Sequence, residues 1–168
     1  NAIYLHEGTT YQVDKLDFDA CKAFIRKVNV DYYTDADMNV SLHILDDLDH
    51  KQLANGTGLT LGELRVSTIV KIFKKMKLDT HETLGFCIVR LPQTDMHTTG
   101  MWWTIPDSLT AKYSNDALQG ALVAISNLLG IVAPLYLMCA PNDVRVVYQV
   151  KAPITDKPTI FLYDSYPG

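Results

Sequence analysis

The chain has 168 residues, which is enough for one domain or for two small ones that share a core. Hydrophobic residues make up 48% of it and charged residues 20%, a balance that excludes a largely disordered chain. The net charge of −4 gives no overall attraction to nucleic acid, so contact with DNA or RNA would need a local basic patch.

Three cysteines, Cys21, Cys87 and Cys139, lie far apart in the sequence. No two of them have the spacing of a zinc ribbon or of a redox-active pair. We interpret them as small buried apolar residues, which is typical of a protein kept in a reducing, cytoplasmic compartment.

The first half of the chain is predicted to be rich in strands, because short runs alternate between apolar and polar residues. The predicted strands of this half are residues 10–16, 23–30, 40–45, 59–78 and 86–91. Residues 17–19 are predicted to be a hairpin turn, although residues 20–27 also fit one or two helical turns. Residues 31–37 and 46–58 are predicted to be connections, the second because it is rich in Asp, Asn and Gly.

Residues 59–78 fit two periodicities. Val66, Val70 and Phe73 lie at helical spacing, whereas Val66, Thr68 and Val70 alternate as they would in a strand. β-Branched residues dominate the centre of this segment, which favours a long strand that is twisted or bulged.

The second half is predicted to contain two helices among further strands. Its predicted strands are residues 101–105, 146–150 and 159–163. Asp107 is predicted to cap a short helix, and Ser114 a longer one at residues 115–129 that ends at Gly130. The apolar face of the longer helix is broad, which predicts burial on more than one side. Polar residues, Gly and Pro interrupt residues 117–140, which favours a core helix and its exit over a membrane span.

These elements predict an α+β chain, with a β-rich, barrel-like N-terminal half followed by a helix-on-sheet C-terminal half. The predicted subdomains are residues 1–95 and residues 96–168. The pair Pro167–Gly168 comes shortly after a predicted strand and is a turn signal, which suggests that the second subdomain is truncated at its C-terminus.

The sequence has none of the motifs for nucleotide phosphates, dinucleotides, zinc proteases or serine hydrolases. We therefore expect no catalysis by this chain and no cofactor or metal bound to it. One alternative is a small hydrolase that uses His97 and Asp164, which would require those two side chains to meet in the fold.

The basic residues Lys71, Lys74, Lys75 and Lys77 form the only dense basic run, and Arg65 lies nearby in the sequence. On a strand, three of these lysines would share one face and could contact DNA phosphates. The alternative is an edge strand that its lysines keep soluble.

Trp102 and Trp103 are adjacent in a predicted strand, so their side chains point to opposite faces. One is predicted to belong to the core. The other is predicted to contact a neighbouring domain or to stack on a base, and we favour the interdomain contact.

Several segments of the chain resemble one bacterial protein family. They include Tyr4–Gly8, Tyr11–Asp17 and Val30–Ala36 in the first half, and Leu91–Pro92, Thr98–Trp102 and Pro158–Gly168 in the second. In these segments the chain resembles the C-terminal region of helicases of the mitomycin repair factor A type, which are DEAD/DEAH-like members of helicase superfamily two.

This resemblance implies a longer parent protein that unwinds DNA with 3′–5′ polarity, uses ATP with magnesium, and acts in DNA repair. It also implies that a four-cysteine zinc site follows residue 168, so no residue of this chain is assigned to zinc. The implied partners are the motor domains of the same polypeptide and DNA, and no membrane.

Composition, absent motifs and resemblance together predict a non-catalytic accessory fragment of an ATP-dependent DNA helicase. Its expected roles are to pack on the motor and to guide a DNA strand. The alternative is a protein–protein interaction module that makes no direct contact with nucleic acid.

Overall fold

A computed structural model describes residues 2–167 of the chain, so the predicted turn at Pro167–Gly168 lies partly outside the described residues. In chain order the elements are β1 (Ile3–His6), β2 (Thr9–Asp17), β3 (Lys22–Lys27), β4 (Tyr32–Gln52), β5 (Gly58–Lys77), β6 (Thr83–Ile88), β7 (Thr94–Thr104), α1 (Asp107–Thr110), α2 (Asn115–Leu137), β8 (Val144–Gln149) and β9 (Thr159–Asp164). The fold is therefore rich in sheet, with one long helix.

Strands β1, β2 and β3 form an antiparallel sheet with β2 in the middle. The β2–β3 turn is closed by Asp17, whose Oδ1 accepts a hydrogen bond from the backbone N–H of Ala20 at 3.0 Å. The predicted hairpin is confirmed, and the helical alternative for residues 20–27 is wrong. Local polar side chains, which favour turns over helices, explain this outcome.

Strands β4 and β5 are long, at 21 and 20 residues. The long strand predicted at residues 59–78 is confirmed. The predicted connections at residues 31–37 and 46–58 are wrong, because β4 occupies most of both and only residues 53–57 form the turn. Pairing with β5 satisfies the backbone of β4 along the sheet, and this tertiary effect outweighs the low strand propensity of its aspartates.

The larger sheet has the strand order β4–β5–β7–β9–β8, and β6 also pairs with β5. Strand β9 lies between β7 and β8, and five of its six residues are buried. This position explains its continuous apolar sequence, since a central strand covered on both faces needs no alternation.

Helix α2 begins as predicted, because the Ser114 hydroxyl accepts a hydrogen bond from the backbone N–H of Ala117 at 3.3 Å. The predicted end at Gly130 is wrong, since the helix continues to Leu137 and contains Pro134. It ends where Met138 adopts a left-handed conformation with φ of 54°. The predicted cap at Asp107 is also wrong, because Pro106 precedes α1 without a side-chain hydrogen bond.

The helix packs on β8, as expected for a helix-on-sheet arrangement. Leu122, Ser126 and Pro134 are its buried residues. The predicted burial on more than one side is wrong within this chain, because most of the remaining apolar side chains of α2 are exposed.

The described chain divides into two compact units that interleave in sequence. Unit 1 comprises residues 1–40 and 68–94, and unit 2 comprises residues 41–67 and 95–168. These units differ from the contiguous subdomains 1–95 and 96–168, because the hairpin of β4 and β5 contributes to both. The barrel-like closure of the first half stays a prediction.

The core of unit 2 includes Leu64 on β5, Leu122 on α2 and Thr159 on β9, all fully buried. Gly62 shows how closely the strands approach there. A Cβ at this position would collide with the backbone oxygen of Asp46 and would lie 2.8 Å from the Trp102 ring. Only glycine fits this contact between β4, β5 and β7.

Candidate nucleic-acid interface

The four lysines of the basic run lie at the end of β5 that belongs to unit 1. This part of β5 pairs with β6, and Lys74 stands opposite Phe86 in the register. Because β5 has neighbours on both sides in the sheet order, the alternative of an edge strand made soluble by lysines is wrong. Strand β6 is the outer strand beside the run.

The lysines do not form a uniform solvent-facing row. Lys71, Lys75 and Lys77 occupy alternate positions of β5 as predicted, but Phe73 stands between them at 7% exposure. Lys71 is exposed, whereas Lys75 and Lys77 are half-buried. Their side chains therefore border buried apolar surface, and the charged heads extend from it toward solvent.

Lys75 has a defined aromatic neighbour. Its Nζ lies 5.3 Å from the centre of the Tyr32 ring on β4. This cation–π contact holds the Lys75 ammonium against the protein. Lys75 is therefore less free to follow a flexible ligand than Lys71.

The side chain of Lys74 points to the face of the sheet opposite that of Lys71, Lys75 and Lys77. Its cross-strand partner Phe86 points to the same face as Lys74. Phe86 is 65% exposed, and Ile88 on the same side of β6 is 83% exposed. Sequence reasoning missed both residues, because the register that places Phe86 beside Lys74 cannot be read from either strand alone. An exposed aromatic ring beside an ammonium group can hold a base and its phosphate together.

The ammonium groups of this run are not neutralised by carboxylates of the described residues. Within residues 2–167, none of the four lysines forms an ion pair closer than 4.0 Å. The four charges lie within seven residues of β5, so they create a local positive potential on a chain that is acidic overall.

Arg65, which lies near the run in the sequence, is assigned to the other unit. It is half-buried, and its Nε is buried without a hydrogen-bond partner among the described residues. We therefore do not count Arg65 with the lysines as one surface.

The two tryptophans separate as predicted. Trp102 is 2% exposed, and its ring lies 6.1 Å from that of Phe161 on β9. Trp103 is half-buried and pairs with Ile160 in the register of β7 and β9. The predicted core tryptophan is therefore Trp102, and the interdomain contact of Trp103 stays a prediction.

The hydrolase alternative finds little support in the geometry. An open cavity of about 620 Å³ in unit 2 is lined by Asp164, Cys139 and Leu162, but not by His97. The backbone of Asp164 instead accepts a hydrogen bond from the Thr98 hydroxyl at 2.9 Å. No described hydrogen bond or ion pair joins His97 to Asp164 among residues 2–167.

The same cavity is bordered by Tyr163, which is 5% exposed. Burial raises the pKa of Tyr163 above its ordinary value of 10.0, and the positive charge of its cross-strand neighbour Arg145 opposes part of that rise. Tyr163 is thus a neutral residue at physiological pH, and its environment does not prepare it for proton transfer.

Comparison with known proteins supplies the context for these surfaces. The chain is 46% identical over 167 residues to a curated Bacillus subtilis protein described as an uncharacterized ATP-dependent helicase, YprA. It matches the crystal structure of the DUF1998 helicase MrfA bound to DNA at 45% identity and a TM-score of 0.72. This chain is homologous to a segment of the MrfA-type helicases. The resemblance read from the sequence is thereby confirmed.

A second structure, of MrfA bound to DNA and AMPPNP, matches at 42% identity and a TM-score of 0.61. In each comparison the match covers 99% of this chain, but only 22% of YprA and 22% and 20% of the MrfA chains. The chain therefore spans about a fifth of the length of the relatives it matches.

The family model for the MrfA zinc-binding domain matches residues 125–168. This match implies zinc, so we tested whether the residues present fit the metal. Among residues 2–167, no three His, Cys, Asp or Glu side chains come together as a possible metal site. Cys139 is the one cysteine in the matched segment. A structural zinc site needs four such ligands, so this segment does not form one by itself.

Proposed function

We propose that this chain is a non-catalytic, C-terminal accessory module of an ATP-dependent DNA helicase. The observation that carries the proposal is the 46% identity to an ATP-dependent helicase across almost the whole chain, which corresponds to only 22% of that protein. Two solved relatives described as bound to DNA support DNA as the ligand of the parent.

In this proposal the motor, with its ATP and magnesium, belongs to the remainder of the polypeptide. The zinc ligands also come from there, since the described residues do not supply a set. The resemblance further supports unwinding with 3′–5′ polarity, a role in DNA repair and a cytoplasmic location in a bacterium. The module packs on the motor domains, and the half-buried Trp103 is our candidate for that contact.

We assign the DNA contact to the lysine run of β5. Lys71, which is exposed, and Lys74, which is half-buried beside the exposed Phe86, reach phosphate oxygens, while the half-buried Lys75 and Lys77 add positive charge. Phe86, beside Lys74, offers a ring for a base of a single strand to stack on. These contacts read no sequence, which suits a protein that moves along DNA.

Salt dependence of DNA binding by the full-length helicase tests this assignment. The double variant Lys71→Ala with Lys74→Ala removes two phosphate contacts, so the slope of log K against log salt should fall by about 1.4 on single-stranded DNA. Phe86→Ala should weaken binding by about 1–3 kcal/mol without changing that slope.

The matched control is Lys112→Ala with Lys151→Ala, which changes the net charge equally at exposed positions of unit 2. Lys151 already pairs with Asp156 at 3.0 Å. An unchanged slope in the β5 double variant, or an equal change in the control, would contradict the assignment to β5.

The second candidate function is a protein–protein interaction module. Exposed apolar side chains on β6 favour it, since Leu84, Phe86 and Ile88 are each more than half exposed. Under this alternative, Phe86→Ala would leave DNA binding unchanged at every salt concentration.

A further inference from the structure

Helix α2 is apolar on the side that faces away from the sheet as well as on the side that packs against it. It contains no charged residue after Asp116. It is long and apolar enough to cross a membrane, yet only 17% of its most apolar 18-residue stretch is buried within the described chain. Ordinary surface helices carry charged residues on the side opposite the core, so this composition marks a side that another structure covers.

The exposed residues form a regular stripe, which we call the outer stripe of α2. Its members are all exposed and lie four, three, four, three and four residues apart: Ala117, Ala121, Ala124, Leu128, Ile131 and Leu135. Leu128 is 60% exposed, Ile131 71% and Leu135 74%. This spacing is the heptad pattern of helices that pack side by side.

The spacing identifies the kind of partner that fits the stripe. Side chains at heptad positions insert between those of a second helix that crosses at a shallow angle. The three alanines let that helix approach closely near Ala117, and the larger side chains from Leu128 onward fill the wider end. A partner of matching shape is an amphipathic helix with an apolar heptad face.

We propose that the outer stripe binds a helix from the remainder of the same polypeptide, within the part that completes the zinc-binding domain. This inference rests on the proposed function. The match to the zinc-binding family model begins at Ile125, inside α2, so about half of the helix lies in the matched segment. The described residues hold no set of zinc ligands, and the proposed function places those ligands on another segment of the polypeptide. Since metal binding is coupled to folding, a zinc-binding domain brings that segment against the part that is present.

The amount of chain elsewhere in the relatives is consistent with this occupant. The match covers 22% of the YprA helicase, which leaves most of that protein to supply a covering helix. A helix in the same polypeptide has a high effective concentration, so it needs no charged residues at the edge of the stripe to select it. The stripe could also be covered by a second copy of the chain or by a lipid bilayer. The experiment below distinguishes these two cases from an intramolecular helix.

Hydroxyl-radical labelling of the full-length helicase, read by mass spectrometry, measures the coverage of the stripe. Rates are normalised to the same protein in denaturant. Leu135 and Ile131 should be labelled about tenfold more slowly than Met38, which is 54% exposed here, because packed interfaces exclude water. Leu135→Asp should raise the labelling of Ile131 and Leu128 toward the rate of Met38.

The matched control is Asn127→Asp, which places the same charge on α2 outside the stripe and should leave the labelling of Ile131 low. Protection of Ile131 in a monomer, confirmed by light scattering and lost only in Leu135→Asp, supports the proposal. Labelling of Ile131 as fast as that of Met38 overturns it. Protection that requires a dimer, or that appears only with phosphatidylglycerol vesicles, also overturns it.

The same preparations are assayed for ATP-dependent unwinding of DNA. Absence of unwinding in the wild-type protein would overturn the proposed function, whereas unwinding without protection of the stripe would overturn only this inference. The two failures are therefore distinguishable.

Discussion

Trp102 and Trp103 form a matched pair for testing how the second unit is stabilised. Truncation to alanine removes the same atoms at neighbouring positions of β7, once from a site that is 2% exposed and once from a half-buried site. A buried indole removes about 150–250 Å² from water, which is worth ~4–6 kcal/mol at about 25 cal/mol/Å².

Measured substitutions of buried aromatic residues by alanine cost about 3–5 kcal/mol, so we expect ~4 kcal/mol for Trp102→Ala. The Trp102 ring also contacts Phe161 and fills the space above Gly62, which leaves little room for the site to collapse. Trp103→Ala should cost less, since the Trp103 side chain is only partly buried.

Urea unfolding measures the loss of unfolding free energy in both variants. The transition is followed by the far-ultraviolet circular dichroism of the β-strands, so the signal does not depend on tryptophan fluorescence. For a chain of this size, ~4 kcal/mol corresponds to a decrease of about 8–16 °C in Tm. Equal losses from the two substitutions, or a larger loss from Trp103→Ala, would refute the assignment of Trp102 to the core.

Two further predictions concern stability. Gly62→Ala should destabilise the fold by about 1–3 kcal/mol, because its Cβ meets the backbone of Asp46, whereas Gly120→Ala in α2 meets no atom within 4 Å and should stabilise it by up to ~1 kcal/mol. Thermal unfolding of both variants checks this, and a similar shift in the two would contradict the close approach of the strands. The folded-state pKa of Tyr163 is raised, so its contribution to stability is present below pH 10.0 and is lost as pH rises through the folded-state pKa. Urea unfolding between pH 9 and pH 11.5 should therefore show a loss of stability that is weaker in Tyr163→Phe, and an identical pH dependence in both proteins would rule out this role.

Local patterns in the sequence predict much of the fold. The β-branched centre of residues 59–78 predicts β5, and Ser114 predicts the start of α2. The errors arise where a long-range partner decides the local structure. Residues 46–52 carry three aspartates, yet they form a strand because β5 pairs with them.

The end of α2 shows a second reason for error. Gly130 is a common helix terminator, but a glycine inside a helix costs only about 1 kcal/mol, and packing on the sheet can exceed that. The helix ends instead at Met138, a non-glycine residue in the left-handed conformation, which no local pattern indicates.

The candidate interface was partly predictable. The lysine run is visible in the sequence, whereas the place of Phe86 beside Lys74 depends on the register of β5 and β6. That register shifts at Lys75 and Met76, where Leu84 is the extra residue on β6. A one-residue shift moves side chains to the other face, so the pairing cannot be inferred from composition.

The interleaving of the two units has a consequence for cutting the chain. The polypeptide passes between the units after residues 40, 67 and 94. A cut after residue 67 leaves two fragments that both contain parts of both units, whereas a cut after residue 40 or 94 divides one unit between the two fragments. A contiguous piece such as residues 95–168 would lack the hairpin that supplies Leu64 to the core. Each unit is complete only when distant parts of the chain return to it, so neither unit can be obtained as one uninterrupted stretch of gene.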